Sequence, residues 1–92
     1  MNLIVTVTAY SAQVINPHQI RAARALLGLK QAELAAMAGI SVQAVKLLEA
    51  GKTDPRVSTL AAIERALTEA GVTFIDADGE GGVGVRLNRL SG

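Results

Sequence analysis

The chain contains no cysteine and no tryptophan, and one each of tyrosine, phenylalanine and histidine. Without cysteine there is no disulfide, no thiolate ligand for zinc and no thiol nucleophile. That composition fits a reducing compartment, and a cytoplasmic location is expected. One histidine, His18, and scattered carboxylates supply no paired acid and base, no activated nucleophile and no metal cluster. An enzyme is therefore not expected, nor a metal or cofactor, and His18 reads as a surface residue. No run of about 18 apolar residues exists, so no segment is expected to span a membrane. The apolar start LIVTVTA lacks a basic leading region and a cleavage site, which argues against a signal peptide. Strong positive charge is absent too. The net charge is +1, so any contact with nucleic acid must depend on where the cations lie.

What is present is an Ala-rich chain of 92 residues, half of them apolar, enough for one domain with a modest core. Many Ala and Leu residues favour helices packed closely together. Residues 2–10 are rich in β-branched side chains. Leu3, Val5, Val7 and Ala9 alternate with Ile4, Thr6, Thr8 and Tyr10, which predicts a strand needing a partner in this chain or in a second copy. Asn16-Pro17-His18-Gln19 then opens a helix. Asn16 can cap it, Pro17 suits its first position, and Gln19 stands where a capping box places Glu or Gln. The helix runs through Ile20, Ala23, Leu26 and Leu27 and stops at Gly28.

The segment Gln31 to Gly51, QAELAAMAGISVQAVKLLEAG, carries the main signal. Leu34, Ala35 and Ala38 share one helical face, and Gly39 can adopt positive φ to end that helix and turn the chain. Ile40 follows as an apolar plug. Ser41 caps a second helix whose Val45 and Leu48 point inward, and Gly51 closes it. Ala35 is small where two helices cross closely. Val42, Gln43, Lys46, Leu47 and Ala50 are left on the outer face of the second helix. Such a face either lies in solvent or, in a helix-turn-helix, enters the DNA major groove. Lys30 stands where a Ser, Thr or Asn cap is usual and is unfavourable to the helix dipole. A phosphate within its reach would account for it.

After Gly51, Lys52 to Arg56 form a turn-rich loop. Ser58 is expected to cap a helix with Leu60, Ala61, Ile63, Ala66, Leu67 and Ala70 on one stripe, ended by Gly71. Val72 to Ile75 and Val83 to Leu87 read as strands joined by the loop DADGEGG. A calcium loop needs alternating carboxylates over about a dozen residues, and these stop too early. A phosphate-cradling loop must open a helix, and none follows. The loop reads as a hairpin connection, and Asn88 to Gly92 as a frayed tail.

From the helix Ile20–Leu27 onward, the chain resembles the Cro/C1-type helix-turn-helix family of phage repressors and bacterial regulators. The residues that carry this are Gln31-Ala32-Glu33-Leu34-Ala35, Gly39-Ile40-Ser41, Val45, Leu48-Glu49 and Gly51-Lys52-Thr53. The resemblance implies a four-helix, lambda-repressor-like domain at 16–71. With the strands read above, an N-terminal strand arm at 1–15 and a C-terminal β extension at 72–92, the expected fold is mostly α with a small β part. It implies that Gln31 bonds a phosphate, that Ser41, Val42, Gln43 and Leu47 meet bases, and that Lys52 and Arg56 touch the backbone. Lys30 and Lys46 add positive charge, and Arg24 and Glu49 form a structural pair. Two departures stand out: Val42 and Leu47 are apolar where polar readers are common, and strands replace the family's fifth helix.

The expected function is a sequence-specific DNA-binding regulator of transcription. In its simplest form it is a homodimeric repressor on double-stranded DNA, with the terminal strands as candidates for the dimer contact or for a local cap on the bundle. The alternative is a protein-interaction module, an antiactivator or antitoxin-like partner, that uses the same helix face.

Overall fold

Asn16 opens the first helix, α1 (Pro17–Leu27), through a reciprocal cap. Its side chain accepts from Gln19 N at 2.9 Å, while Gln19 Oε1 accepts from Asn16 N at 3.0 Å. These bonds satisfy N–H groups that a helix start leaves without internal partners. The computed structural model describes residues 15–88. The proposed strand at Leu3–Ala9 and the last four residues lie outside them.

Three further helices follow: α2 (Gln31–Ala38), α3 (Val42–Glu49) and α4 (Val57–Ala70). Gly28, Gly39 and Gly51 have φ of 69°, 72° and 69°. Each allows the residue after it to reach back into the preceding helix. Leu29 N donates to Arg24 O, Ile40 N to Ala35 O, and Lys52 N to Leu47 O. These are the crossed bonds of a left-handed helix end. Gly51 closes α3 as expected, with Ala50 between it and the last helical residue still in right-handed helical geometry.

The start of α4 differs from expectation. The residue at the cap is Arg56, no side chain caps the helix, and Ser58 already lies inside the first turn. The extended residue ahead of the helix is Arg56, at φ −69° and ψ 152°, so Ser58 is already helical and cannot cap. The apolar stripe of α4 is also narrower. Ile63, Ala66 and Leu67 are buried and Leu60 half-buried, whereas Ala61 and Ala70 are exposed.

The chain then turns to β, with β1 (Val72–Ile75) and β2 (Gly84–Leu87) forming an antiparallel hairpin. Its register pairs Val72 with Leu87 and Phe74 with Val85. Val83 lies just outside the second strand. Asp78 holds the connecting loop by accepting from the backbone N–H of Glu80 and Gly81 at 2.8 and 2.9 Å. A short acidic side chain is thus used on its own turn. Asn88 continues the ladder rather than fraying, since its N–H donates to Gly71 O at 2.8 Å.

One core joins helices and hairpin. Ile15, Ile20, Ala23, Leu34, Ala35, Val45, Leu48, Ile63, Ala66, Leu67 and Val72 are buried together, with Phe74 and Val85 packed against them. Burying each large member contributes roughly 1.5–3 kcal/mol relative to exposure. β2 lies along α1 and β1 along α4. Gln19 fastens that contact, its Nε2 donating to Ile75 O at 3.2 Å and Gly84 O at 2.9 Å.

Candidate nucleic-acid interface

Helix α3 is positioned by its buried side. Val45 and Leu48 enter the core, so residues about half a turn away must face outward. Val42, Gln43, Lys46, Leu47 and Ala50 are all exposed. Ser41 starts the helix with its Oγ accepting from Ala44 N at 3.0 Å. The Oγ proton is not used in that bond and can be donated to a ligand.

Glu49, the last residue of α3, anchors the helix to the two before it. Its side chain is 4% exposed. Arg24 Nε donates to Oε2 at 2.8 Å and Arg24 Nη2 to Oε1 at 2.9 Å, a planar fork on a planar carboxylate. Arg24 Nη1 also reaches Leu29 O at 3.1 Å. Gln31 Nε2 donates to Glu49 Oε1 at 3.0 Å, and Arg21 donates to Glu49 O. Burial pushes the Glu49 carboxyl upward, but the hydrogen bonds from Arg24 and Gln31 and the charges of Arg24 and Arg21 outweigh it. The net effect holds its pKa below the ordinary glutamate value. The bond to Glu49 raises the pKa of Arg24 despite partial burial.

The cations named from the sequence are placed around this frame. Lys30 precedes α2, Lys46 stands on the outer face of α3, and Lys52 and Arg56 lie in the loop after it, all exposed. The Lys30 side chain makes no cap, as an ammonium has no acceptor. Instead Glu33 Oε1 accepts from Lys30 N at 2.7 Å. Gln31 is half-buried at the first position of α2, with one amide N–H committed to Glu49 and a second available. Between α3 and the following loop runs an open groove of about 350 Å³. Leu47, Asp54, Pro55 and Arg56 are among its walls.

A family model described as helix-turn-helix matches residues 20–69, more than half of the chain. The chain belongs to the Cro/C1-type helix-turn-helix family. Among solved structures, the helix-turn-helix chain is similar to the solution structure of the DNA-binding domain of the P22 C2 repressor, residues 1–76. The two share 33% identity and a TM-score of 0.54, over 61% of this chain and 75% of that one. No curated protein sequence matches the chain. Helices α2 and α3, joined by the turn at Gly39, both lie within the matched segment. The hairpin β1–β2 follows the matched segment and packs on the same core.

Two residues of this frame escaped the sequence reading. Arg21 supports the end of α3 through Glu49 O, and its Nη2 lies 2.7 Å from His18 Nδ1. Its spacing of three from Arg24 puts both on neighbouring faces of α1, the signal that was available. From the sequence Gln19 is expected only to complete the α1 cap. Its place four residues before Ala23, on the apolar face, marks it as a buried amide needing partners.

Among the described residues no group of His, Cys, Asp and Glu is arranged to hold a metal ion, and no helix is long and apolar enough to cross a membrane.

Proposed function

We propose that this protein is a sequence-specific DNA-binding regulator of transcription that acts as a dimeric repressor, with α3 lying in the major groove. The carrying observation is the outward face of α3, which presents Val42, Gln43, Lys46 and Leu47 from a helix tied to α1 and α2 through Glu49. Rigid presentation matters because base readout demands alignment of side chain and base edge. Gln43 carries the amide suited to adenine, which offers an acceptor and a donor side by side. Ser41 and Gln31 have spare donors for phosphate or base edge, and α2 begins at Gln31 with its N–H groups unpaired by the helix. Lys30, Lys46, Lys52 and Arg56 supply phosphate contacts.

One such helix covers only a few base pairs. A symmetric dimer reads two half-sites about 34 Å apart, and the terminal strands are the proposed place of contact between copies. With about eight phosphate contacts per dimer, log K falls against log salt with a slope of about −7.

The test is a titration of the full chain against a labelled duplex from upstream of its own gene, beside a scrambled duplex, at two salt concentrations. Preference for the native duplex with that slope supports the proposal. Selection from random duplexes extends the test to operators elsewhere. No preference in either experiment overturns it. Exposed Val42 and Leu47 favour one other reading, a module that docks a protein partner on this face. A complex lost in Leu47→Asp, with DNA binding intact, would mark that reading.

A further inference from the structure

The hairpin has an outer edge on each strand, and the two edges differ in their access to water. Asn88 N donates to Gly71 O at 2.8 Å, and that bond sets the phase of the ladder. Antiparallel pairs alternate between bonded and non-bonded. Thr73–Arg86 and Ile75–Gly84 are therefore bonded pairs, whereas Val72–Leu87 and Phe74–Val85 are not. It follows that Val72 and Phe74 turn their N–H and C=O groups away from β2, and that Val85 and Leu87 turn theirs away from β1. Water reaches the edge of β2, since Leu87 is 41% exposed. Val72 on β1 is 0% exposed, and its N–H and C=O have no hydrogen-bond partner among the described residues. Buried backbone groups are almost always paired, so this edge calls for a strand.

The space beside it suits one. A cavity of about 220 Å³ is lined by Val72, Thr73 and Phe74 in succession, together with Ile15 and, from α4, Thr68. Successive strand residues face opposite sides of a sheet, so a cavity touching all three runs along the edge of β1. Residues 1–14 lead into this cavity at Ile15, which is 5% exposed. Among them Leu3–Ala9 carries the strand alternation and no charge. Its Leu3, Val5, Val7 and Ala9 match the core face of Val72 and Phe74, and its Thr6 and Thr8 match the exposed face of Thr73.

We propose that the outer edge of β1 is the docking site for Leu3–Ala9 of a second copy, so that two chains exchange arms about a two-fold axis. The inference rests on the dimeric reading above and assigns the contact to the N–H and C=O groups of Val72 and Phe74. Chain length decides which copy supplies the arm. The four residues of β1 cover about 13 Å, and Tyr10–Val14 spans at most about 18 Å. Running straight on from Ile15, that link uses up the length of β1 and carries Leu3–Ala9 past its own edge. Doubling back needs a tight reversal, and YSAQV holds no Gly, Pro, Asn or Asp to make one. The equivalent edge of a second copy is then the partner.

Because the chain has no cysteine, introduced pairs report alone. In the full chain Thr73→Cys is combined in turn with Ile4→Cys, Thr6→Cys or Thr8→Cys, and each variant is oxidised and run on a non-reducing gel. Sedimentation equilibrium of the unaltered chain gives the mass of the particle. The expected result is a particle of two chains and a covalent dimer in at least one double variant, with none from Thr73→Cys by itself. Val7→Lys, on the face turned to the core, is expected to raise the dimer dissociation constant about tenfold or more, with the helical circular dichroism unchanged. A two-chain particle whose links form within one chain, or in which no pair links, or which Val7→Lys leaves as tight as before, overturns the exchange and leaves the dimer standing. A single-chain particle overturns both.

Discussion

Gln31 and Arg24 converge on one oxygen, Oε1 of Glu49, at 3.0 and 2.9 Å. One buried carboxylate thereby ties α1, α2 and the end of α3 together. The angle between the two motif helices then depends on an acid in a site that offers it little water.

Replacing that acid is expected to loosen the frame. Glu49→Ala leaves the Arg24 guanidinium and the Gln31 amide without their acceptor. Arg24 is 23% exposed and regains some water, which places the cost at about 2–3 kcal/mol, below that of breaking a fully buried pair. For a domain of this size that lowers Tm by roughly 10–20 °C. Thermal denaturation followed by circular dichroism checks it. An unchanged Tm would mean that the pair adds no stability.

Acid should reveal the same interaction. The Glu49 pKa is depressed in the folded state, so its stabilisation is complete above the ordinary glutamate value and lost as pH falls through the depressed one. Glu64 behaves oppositely: burial first, and then the charge of Asp76, raise its pKa. Its ionisation opposes folding, and the penalty fades as pH falls from above its raised pKa toward the ordinary value. Stability is therefore expected to rise slightly on mild acidification and then drop below the ordinary glutamate range. Glu64→Gln removes the rise, and Glu49→Gln flattens the drop. Urea midpoints across pH 3 to 7, an interval of about this width around the glutamate range, separate the two.

The helices were legible in the sequence because their punctuation is local. Asn16, Pro17 and Gln19 mark one start, and Gly28, Gly39 and Gly51 place three ends to within a residue. The helix-turn-helix was legible for the same reason: Ala35, Gly39, Ser41, Val45 and Leu48 each meet a requirement set within a few residues. The start of α4 is not legible, because Ser58 is a good cap in general and the residue at the actual cap, Arg56, makes no side-chain cap. Ala61 and Ala70 were misassigned since alanine is nearly indifferent to burial. The links made by Gln19, to carbonyls 56 and 65 residues away, depend on tertiary packing that no short window contains. Among the site residues, surface position was readable from helical period. The engagement of Gln31 by Glu49 was not, as it depends on how closely α2 meets α3.

Gln19 is expected to govern the hairpin more than the helices. Gln19→Leu keeps the volume but leaves Ile75 O and Gly84 O without that donor and Asn16 N without its acceptor in the α1 cap, and the lost hairpin bonds alone cost about 1–3 kcal/mol. Amide hydrogen exchange should quicken in β1 and β2 while the slowest amides of α2 and α3 change less. Uniform loss of protection would show instead that the hairpin and helices unfold as one unit.

Two substitutions on the proposed DNA face should fail in different ways. Lys52→Ala removes a cation and no base contact, so it weakens native and scrambled duplexes alike. It lowers the magnitude of the salt slope by about 0.9 per protomer. Gln43→Ala removes a hydrogen-bonding pair and no charge. It should leave the salt slope unchanged and cost about 1–3 kcal/mol on the native duplex alone, with relaxed preference at one base pair. The distinction follows from what each group can sense, since a phosphate is the same at every step and a base edge is not. If Gln43→Ala weakened both duplexes equally, the amide would be a backbone contact, and sequence reading would fall to Ser41, Val42 and Leu47.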